Sequence, residues 1–283
     1  MIAEGELRRL AREEEVDPVI LNLDYALGWF LAGLYSAKAA RRRLRHKGGT
    51  CLAKAYFSDY RFSEDLDFTA TGPVQGNQAL SEASRVARWS DRRGGPNFHA
   101  APPRLEVSSD EYGAETFEVS VYFRGPLAWE GSPQAIRLHI TRDERLVLPA
   151  EERPLLHRYS DADQLGKVSL SCYPLLEMLA EKLRALCGQR RFAISRDLYD
   201  VHRLVASGTD LPILATVLKG KLAAKGMSLD VVAPKTILPR EREFEVDWGR
   251  NLTHLLPKGQ EVSFSDAWAT TFSLLDSLCR VLA

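Results

Sequence analysis

Residues 47–68 read KGGTCLAKAYFSDYRFSEDLDF. Near the end of this stretch Asp65 and Asp67 lie two positions apart, interleaved with Leu66 and Phe68. The alternation of SEDLDFTA predicts a strand running to Gly72-Pro73, and residues i and i+2 of a strand share a face. The two carboxylates then project side by side while Leu66 and Phe68 turn to a core. Like charges at this range repel, and a half-buried strand is a costly place for them. A divalent cation held by both offsets that cost. Hard oxygen ligands suit Mg²⁺, or Mn²⁺ in its place, and such ions also recruit nucleotide phosphates. A solvated acidic strand face is the plainer alternative, and the acid pair alone does not choose between them.

The beginning of the stretch adds the second half of a site. Gly48 and Gly49 let backbone approach a ligand closely, and Thr50 can cap the helix expected over TCLAKAYF. A helix N-terminus favours phosphate through its N–H groups and dipole. Lys47 immediately precedes this turn. A phosphate cradle followed by a metal-binding strand would hold a nucleoside triphosphate between them. The pattern GxxxxGK[ST] is absent, which argues against a P-loop NTPase.

Working outward, the chain has 283 residues, 45% apolar and 27% charged, a globular composition long enough for one large domain or two moderate ones. Its 38 basic and 38 acidic residues cancel, so any nucleic-acid surface must come from local clustering. Cys51, Cys172, Cys187 and Cys279 form no CxxC pair and read as reduced thiols of a cytoplasmic protein. The N-terminus lacks the order of a signal peptide, and YALGWFLAGLYSA is too short to span a bilayer; no membrane association is expected. Helices are expected over 3–15, 17–40 (with Ile20, Leu23, Leu27, Phe30, Leu31 and Leu34 as its packing stripe) and 76–92. Strands are expected at RLEVSS, TFEVSVYF and QAIRLHIT, and helices from about residue 173 onward. This is an α+β pattern with two lobes, 1–165 mixed and 166–283 mainly helical.

A second informative segment is YPLLEMLAEKLRALCGQRRFAISRDLYDVHRL. On a helical wheel Leu175, Leu176, Met178, Leu179, Leu183 and Leu186 form one apolar arc, with Glu177, Glu181 and Arg184 opposite. Lys182 falls inside the apolar arc, where a lysine either snorkels, pairs with acids, or reaches a ligand. Asp197 belongs to the first turn of the next helix behind Ser195 as cap, a position the helix dipole favours in any case. Asp200 follows one turn later and reads as a partner for neighbouring arginines.

Together, KGGTCLAKAY, RFSEDLDF and EMLAEKLRAL…RDLYD resemble the AbiEii/AbiGii toxin family, which includes the MenT-type toxins, within the polymerase β-type nucleotidyltransferase superfamily. The resemblance covers about a fifth of the chain. It implies an N-terminal polymerase β-like lobe with a mixed sheet, and a helical lobe that completes the active-site cleft. It further implies a Mg²⁺-dependent enzyme taking an NTP. Asp65, Asp67, Lys182 and Asp197 would be catalytic, with Asp65 and Asp67 also the metal ligands, and Lys47, Gly48, Gly49, Thr50 and Ser63 would lie at the nucleotide. The implied acceptor is the 3′ end of tRNA, with translation blocked and a cognate antitoxin as partner. Ser63 becomes a candidate phosphorylation site.

One departure stands out. Such enzymes place a third carboxylate on a nearby strand, expected here in IRLHITRDE. Its polar face offers Arg137 and His139 instead, and His139 is either a base or a structural histidine. The run RRRLRHK at 41–47, extended by Arg190, Arg191 and Arg196, supplies basic surface for RNA phosphates. Transfer to a small molecule such as an aminoglycoside is the second enzymatic reading; a nucleotide-binding interaction protein without transfer activity is the third.

Overall fold

A computed structural model of the chain describes residues 1–72, 75–109, 115–127, 131–142, 144–190 and 192–282. Pro73 of the expected strand end, Asp143 of the RDE run and Arg191 of the basic cluster lie outside them. The chain divides into two units, one of residues 1–144, 150–172 and 257–260, the other of 145–149, 173–256 and 261–283.

The first unit contains helices α1 (Glu4–Glu13), α2 (Pro18–Tyr35), α3 (Lys38–Arg43), α4 (Gly48–Cys51), α5 (Gly76–Asp91) and α6 (Ala162–Leu165). Its strands are β1 (Leu44–Lys47), β2 (Asp65–Ala70), β3 (Arg104–Ser109), β4 (Glu115–Phe123), β5 (Gln134–Thr141), β6 (Glu151–Pro154) and β7 (Ser169–Cys172). They form one mixed sheet in the order β3-β4-β5-β2-β1-β7-β6. Pairing is parallel for β2 with β5 and for β1 with β7, and antiparallel elsewhere.

The core face of the sheet carries the period-2 apolar set: Leu66 and Phe68 of β2, Ile136, Leu138 and Ile140 of β5, and Phe117, Val119, Val121 and Phe123 of β4, all buried. Helices α2 and α5 cover it. Helix α2 begins as its sequence dictates, with Pro18 in the first turn and the Asp17 carboxylate accepting from the Val19 N–H at 2.8 Å. It ends at Tyr35, earlier than expected, and Lys38 opens a separate short helix. It is also buried almost all round, so the expected single stripe understates its packing; Ile20 and Leu23 are its half-buried members. A buried ion pair, Lys54 Nζ to Asp24 at 2.7 Å with the Tyr159 hydroxyl also donating to Asp24, ties the segment after α4 to α2.

The run RRRLRHK, expected to lead into a turn, is the end of α3 and the whole of β1. Four-residue strands such as LRHK are too short for alternation to announce them, and this one is stabilised by pairing with β2 on one side and β7 on the other.

The second unit contains α7 (Leu175–Arg184), a π-helical turn over 185–189, α8 (Ser195–Ala206), α9 (Leu211–Ala224), α10 (Pro234–Ile237), α11 (Glu241–Asn251) and α12 (Phe264–Leu282). The expected polar side of α7 is not solvated: Glu177 and Arg184 are buried, whereas Leu175 and Leu176 are half-buried. Helix α9 packs there and brings Lys221, itself fully buried, to 2.7 Å from Glu177 and 3.0 Å from Glu181. Glu177 also accepts from the backbone N–H groups of Val147 and Leu148. A charged side chain thus serves as core wherever its partner arrives from another helix. Among the described residues no helix is long and apolar enough to cross a membrane.

Candidate active site

Strand β1 ends at Lys47, whose Cα partner across the ladder is Asp67. The chain then turns through Gly48, at φ +77°, into α4. A Cβ on Gly48 would collide with the Asp67 carboxylate, and one on Gly49 with the Arg61 guanidinium. Both glycines let these side chains approach the turn closely, and at Gly48 the backbone conformation itself favours glycine. The Ser63 hydroxyl faces the same turn, 3.1 Å from where a Gly49 Cβ would stand; Ser63 itself precedes β2 rather than lying in it.

Two side chains stitch the turn to the strand. The Thr50 hydroxyl donates to the Asp65 carbonyl, and His46 Nδ1 lies 3.1 Å from the Asp67 carbonyl. Thr50 is consequently buried, and its hydroxyl does not cap α4; Lys47 occupies the N-cap position without a side-chain capping bond. Any contribution of Thr50 to a phosphate is through its backbone N–H, one of the groups a first helical turn leaves without an intrahelical acceptor. His46 is wholly buried, and burial pushes its imidazole down to about 4. The ring is neutral at pH 7, with Nδ1–H as donor to Asp67.

Asp65 and Asp67 project from β2 on the face opposite Leu66 and Phe68. Burial, and then the neighbouring Asp67 charge, raise the Asp65 carboxyl above the usual carboxylate range. Its Oδ1 is buried without a hydrogen-bond partner, and Arg137 reaches only to 3.8 Å. Two adjacent carboxylates with an unsatisfied buried oxygen are a donor set that fits a hard divalent cation, whose remaining ligands would come from phosphate and water.

Strand β5 presents Arg137 and His139 on this face, and the carboxylate beyond them is Glu118 of β4. The ladder aligns Asp67 with His139 of β5, and His139 with Glu118 of β4. His139 Nδ1 is 3.6 Å from Glu118 Oε2, both half-buried. Asp65 aligns with Arg137 and Ser120 in the neighbouring row. TFEVSVYF places Glu118 on its polar face by alternation, but only the register between strands reveals its neighbours.

In the second unit Lys182 is answered by acids: Asp197 Oδ1 at 2.6 Å and Asp200 Oδ2 at 2.8 Å, with Arg190 on the other oxygen of Asp197 at 2.8 Å. Asp200 pairs with the lysine, and it is fully buried. Ser195 is not a cap either. It is the first residue of α8, and both its N–H and its hydroxyl donate to Asp247 of α11. Arg196 is half-buried and adds its charge near Asp247. Lys182, Asp197 and Asp200 form one cluster in their unit; Lys47, Gly48, Gly49, Thr50, Ser63, Asp65, Asp67 and His139 surround the other.

A family model described as nucleotidyl transferase AbiEii toxin, type IV toxin–antitoxin system, matches residues 29–271. No curated protein matches the chain. Among solved structures, MenT4, a nucleotidyltransferase toxin from Mycobacterium tuberculosis, is similar with a TM-score of 0.68 at 20% identity over 99% of this chain and 90% of that one. JHP933 from Helicobacter pylori is similar with a TM-score of 0.58 at 17% identity over 94% of each chain. These likenesses show a shared fold. The family match spans most of the sequence, including the glycine turn, the acid pair and the lysine cluster, and the chain belongs to the AbiEii nucleotidyltransferase toxin family of type IV toxin–antitoxin systems.

Proposed function

We propose that this nucleotidyltransferase moves nucleotides from an NTP to the 3′ acceptor end of tRNA, which blocks aminoacylation, translation and growth. The observation that carries the reading is the packing of the Asp67 carboxylate directly on Gly48. It makes the phosphate-approachable turn and the acid pair one continuous surface.

Asp65 and Asp67 would hold Mg²⁺, or Mn²⁺, which neutralises phosphate charge when bound. The backbone of Gly48, Gly49 and Thr50 approaches the phosphates, with Lys47 beside them. The RNA 3′ hydroxyl attacks the α-phosphorus, the bond to the β-phosphate oxygen breaks, and pyrophosphate leaves. His139, supported by Glu118, takes the hydroxyl proton. Lys182, held by Asp197 and Asp200, is assigned to the charge that develops on the leaving pyrophosphate. A cytoplasmic setting supplies both substrates. An antitoxin is the partner that membership of a toxin–antitoxin family implies, and phosphorylation of Ser63, beside the glycine turn, is one route for it to act.

The test is incubation with each labelled NTP, Mg²⁺ and total tRNA. Labelled RNA is expected, abolished by EDTA and reduced at least about 100-fold in Asp65→Ala, as for loss of a principal electrostatic group. Labelling of an aminoglycoside in place of RNA, or nucleotide binding without transfer to any acceptor, would contradict the proposal.

A further inference from the structure

The polar face of the sheet is sorted by charge in a way the reaction above does not use. One transverse row contains Asp67, His139, Glu118 and Glu106; the next contains Asp65, Arg137, Ser120 and Arg104. Arg137 and Arg104 are exposed, and Tyr122 stands half-exposed two residues along β4 from Ser120. The Arg104 guanidinium lies over the Tyr122 ring, 5.8 Å from its centroid. The residues paired across the ladder beside this ring are small: Ala135 pairs with Tyr122 itself, and Ser120 lies between the two arginines.

Small neighbours leave room beside an aromatic ring, and two cations flank the space. That is the chemistry that receives a base between two phosphates: the ring stacks with any base, and the guanidinium groups take the backbone. The acidic row confines the strand to one direction. Phosphates are repelled from Glu106 and Glu118 and favoured along Arg104 and Arg137, and Arg137 ends 3.8 Å from Asp65. From this geometry we infer that Tyr122, Arg104 and Arg137 form a platform for the single-stranded 3′ end of the acceptor RNA, leading its terminal nucleotide to Asp65. The inference rests on the nucleotidyltransferase reading and names the surface its RNA substrate uses.

The test compares wild type with Tyr122→Leu, Tyr122→Phe and Arg104→Gln in the full chain. The KM for tRNA is expected to rise roughly tenfold in Tyr122→Leu, in line with loss of one base stack, while the KM for the NTP stays at the wild-type value. Tyr122→Phe, which keeps the ring, restores most of that loss. Arg104→Gln weakens RNA and flattens its salt dependence. Binding of a fluorescent oligonucleotide with the tRNA acceptor sequence, without NTP, reads the same surface independently of transfer. Should Tyr122→Leu fail to fold, the exposed Arg104 still decides the matter. Unchanged RNA KM and oligonucleotide affinity in folded variants overturn the platform. So does a rise in NTP KM instead, which would assign Tyr122 to the incoming base. A wild-type protein that labels no RNA contradicts the proposed reaction itself, and the oligonucleotide result then judges the platform alone.

Discussion

Gly48 bears the tightest packing in the site, and its neighbour His46 sets the pH response of the strand behind it. Gly48→Ala forces a side chain into the left-handed region and against Asp67, which costs about 1–2 kcal/mol in backbone strain alone. A urea melt is expected to show that loss, and titration with NTP and Mg²⁺ to show nucleotide binding weakened beyond it. Wild-type nucleotide affinity in the variant would detach the turn from the phosphates. For His46 the folded state disfavours the charged ring: its pKa is about 4, against 6.5 for the free group. Between those values the unfolded chain takes up a proton that the folded chain refuses. Stability is therefore complete above pH 6.5 and falls as pH drops toward 4, by roughly 3 kcal/mol from this residue. Denaturation at pH 7 and pH 4.5 in EDTA should show this fall, and His46→Gln should flatten it; an equal slope in both proteins would remove His46 from the cause. The glycines and the acid pair are readable at this scale because turn chemistry and strand alternation are local. The contacts of His46, Arg61 and Glu118 are not, because each meets its partner across a ladder or a loop.

Elements show where periodicity succeeds and where it misleads. Strands β4 and β5 follow their alternation almost residue for residue, whereas β3 at the sheet edge leaves Val107 exposed; α2 and α9 start at their Asp-Pro and Asp-X-Pro caps. The wheel of α7 identifies Lys182 as out of place but misassigns Glu177 and Arg184, because packing by α9 makes the polar side a second core. Nothing in the local pattern of α7 announces a lysine arriving from a helix about forty residues later. The same cluster alters what a substitution reports. Lys182→Met fits the apolar arc, yet it takes the ammonium away from Asp197 and Asp200, both buried, while Arg190 stays on Asp197. Loss of one partner from such a buried set costs about 3–5 kcal/mol. Thermal melting should reveal that loss, and adding Asp200→Asn should recover part of it. If the recovered double variant folds yet transfers no nucleotide, the lysine acts in the reaction; full transfer by that variant would make the cluster purely structural.

For the whole molecule, a net charge of zero conceals its distribution. Acidic and basic side chains are sorted into rows on one sheet face, with further bases at 41–47 on α3 and β1. Composition averages over that sorting, so local clustering of bases leaves no mark on the total charge. Family membership and the α+β class are legible from two short motif blocks because their chemistry depends on residue type at fixed spacing. The neighbours of Glu118 are not, since they depend on the register between β4 and β5. The central claim is that Asp65 and Asp67 serve the addition of nucleotides to tRNA 3′ ends. Sequencing of RNA 3′ termini after brief expression tests it most directly. Wild type is expected to leave untemplated nucleotides on tRNA 3′ ends while growth stops, and Asp65→Ala to leave those ends intact while growth continues. Growth arrest by wild type with unaltered tRNA 3′ ends, or equal extension by Asp65→Ala, would contradict the claim.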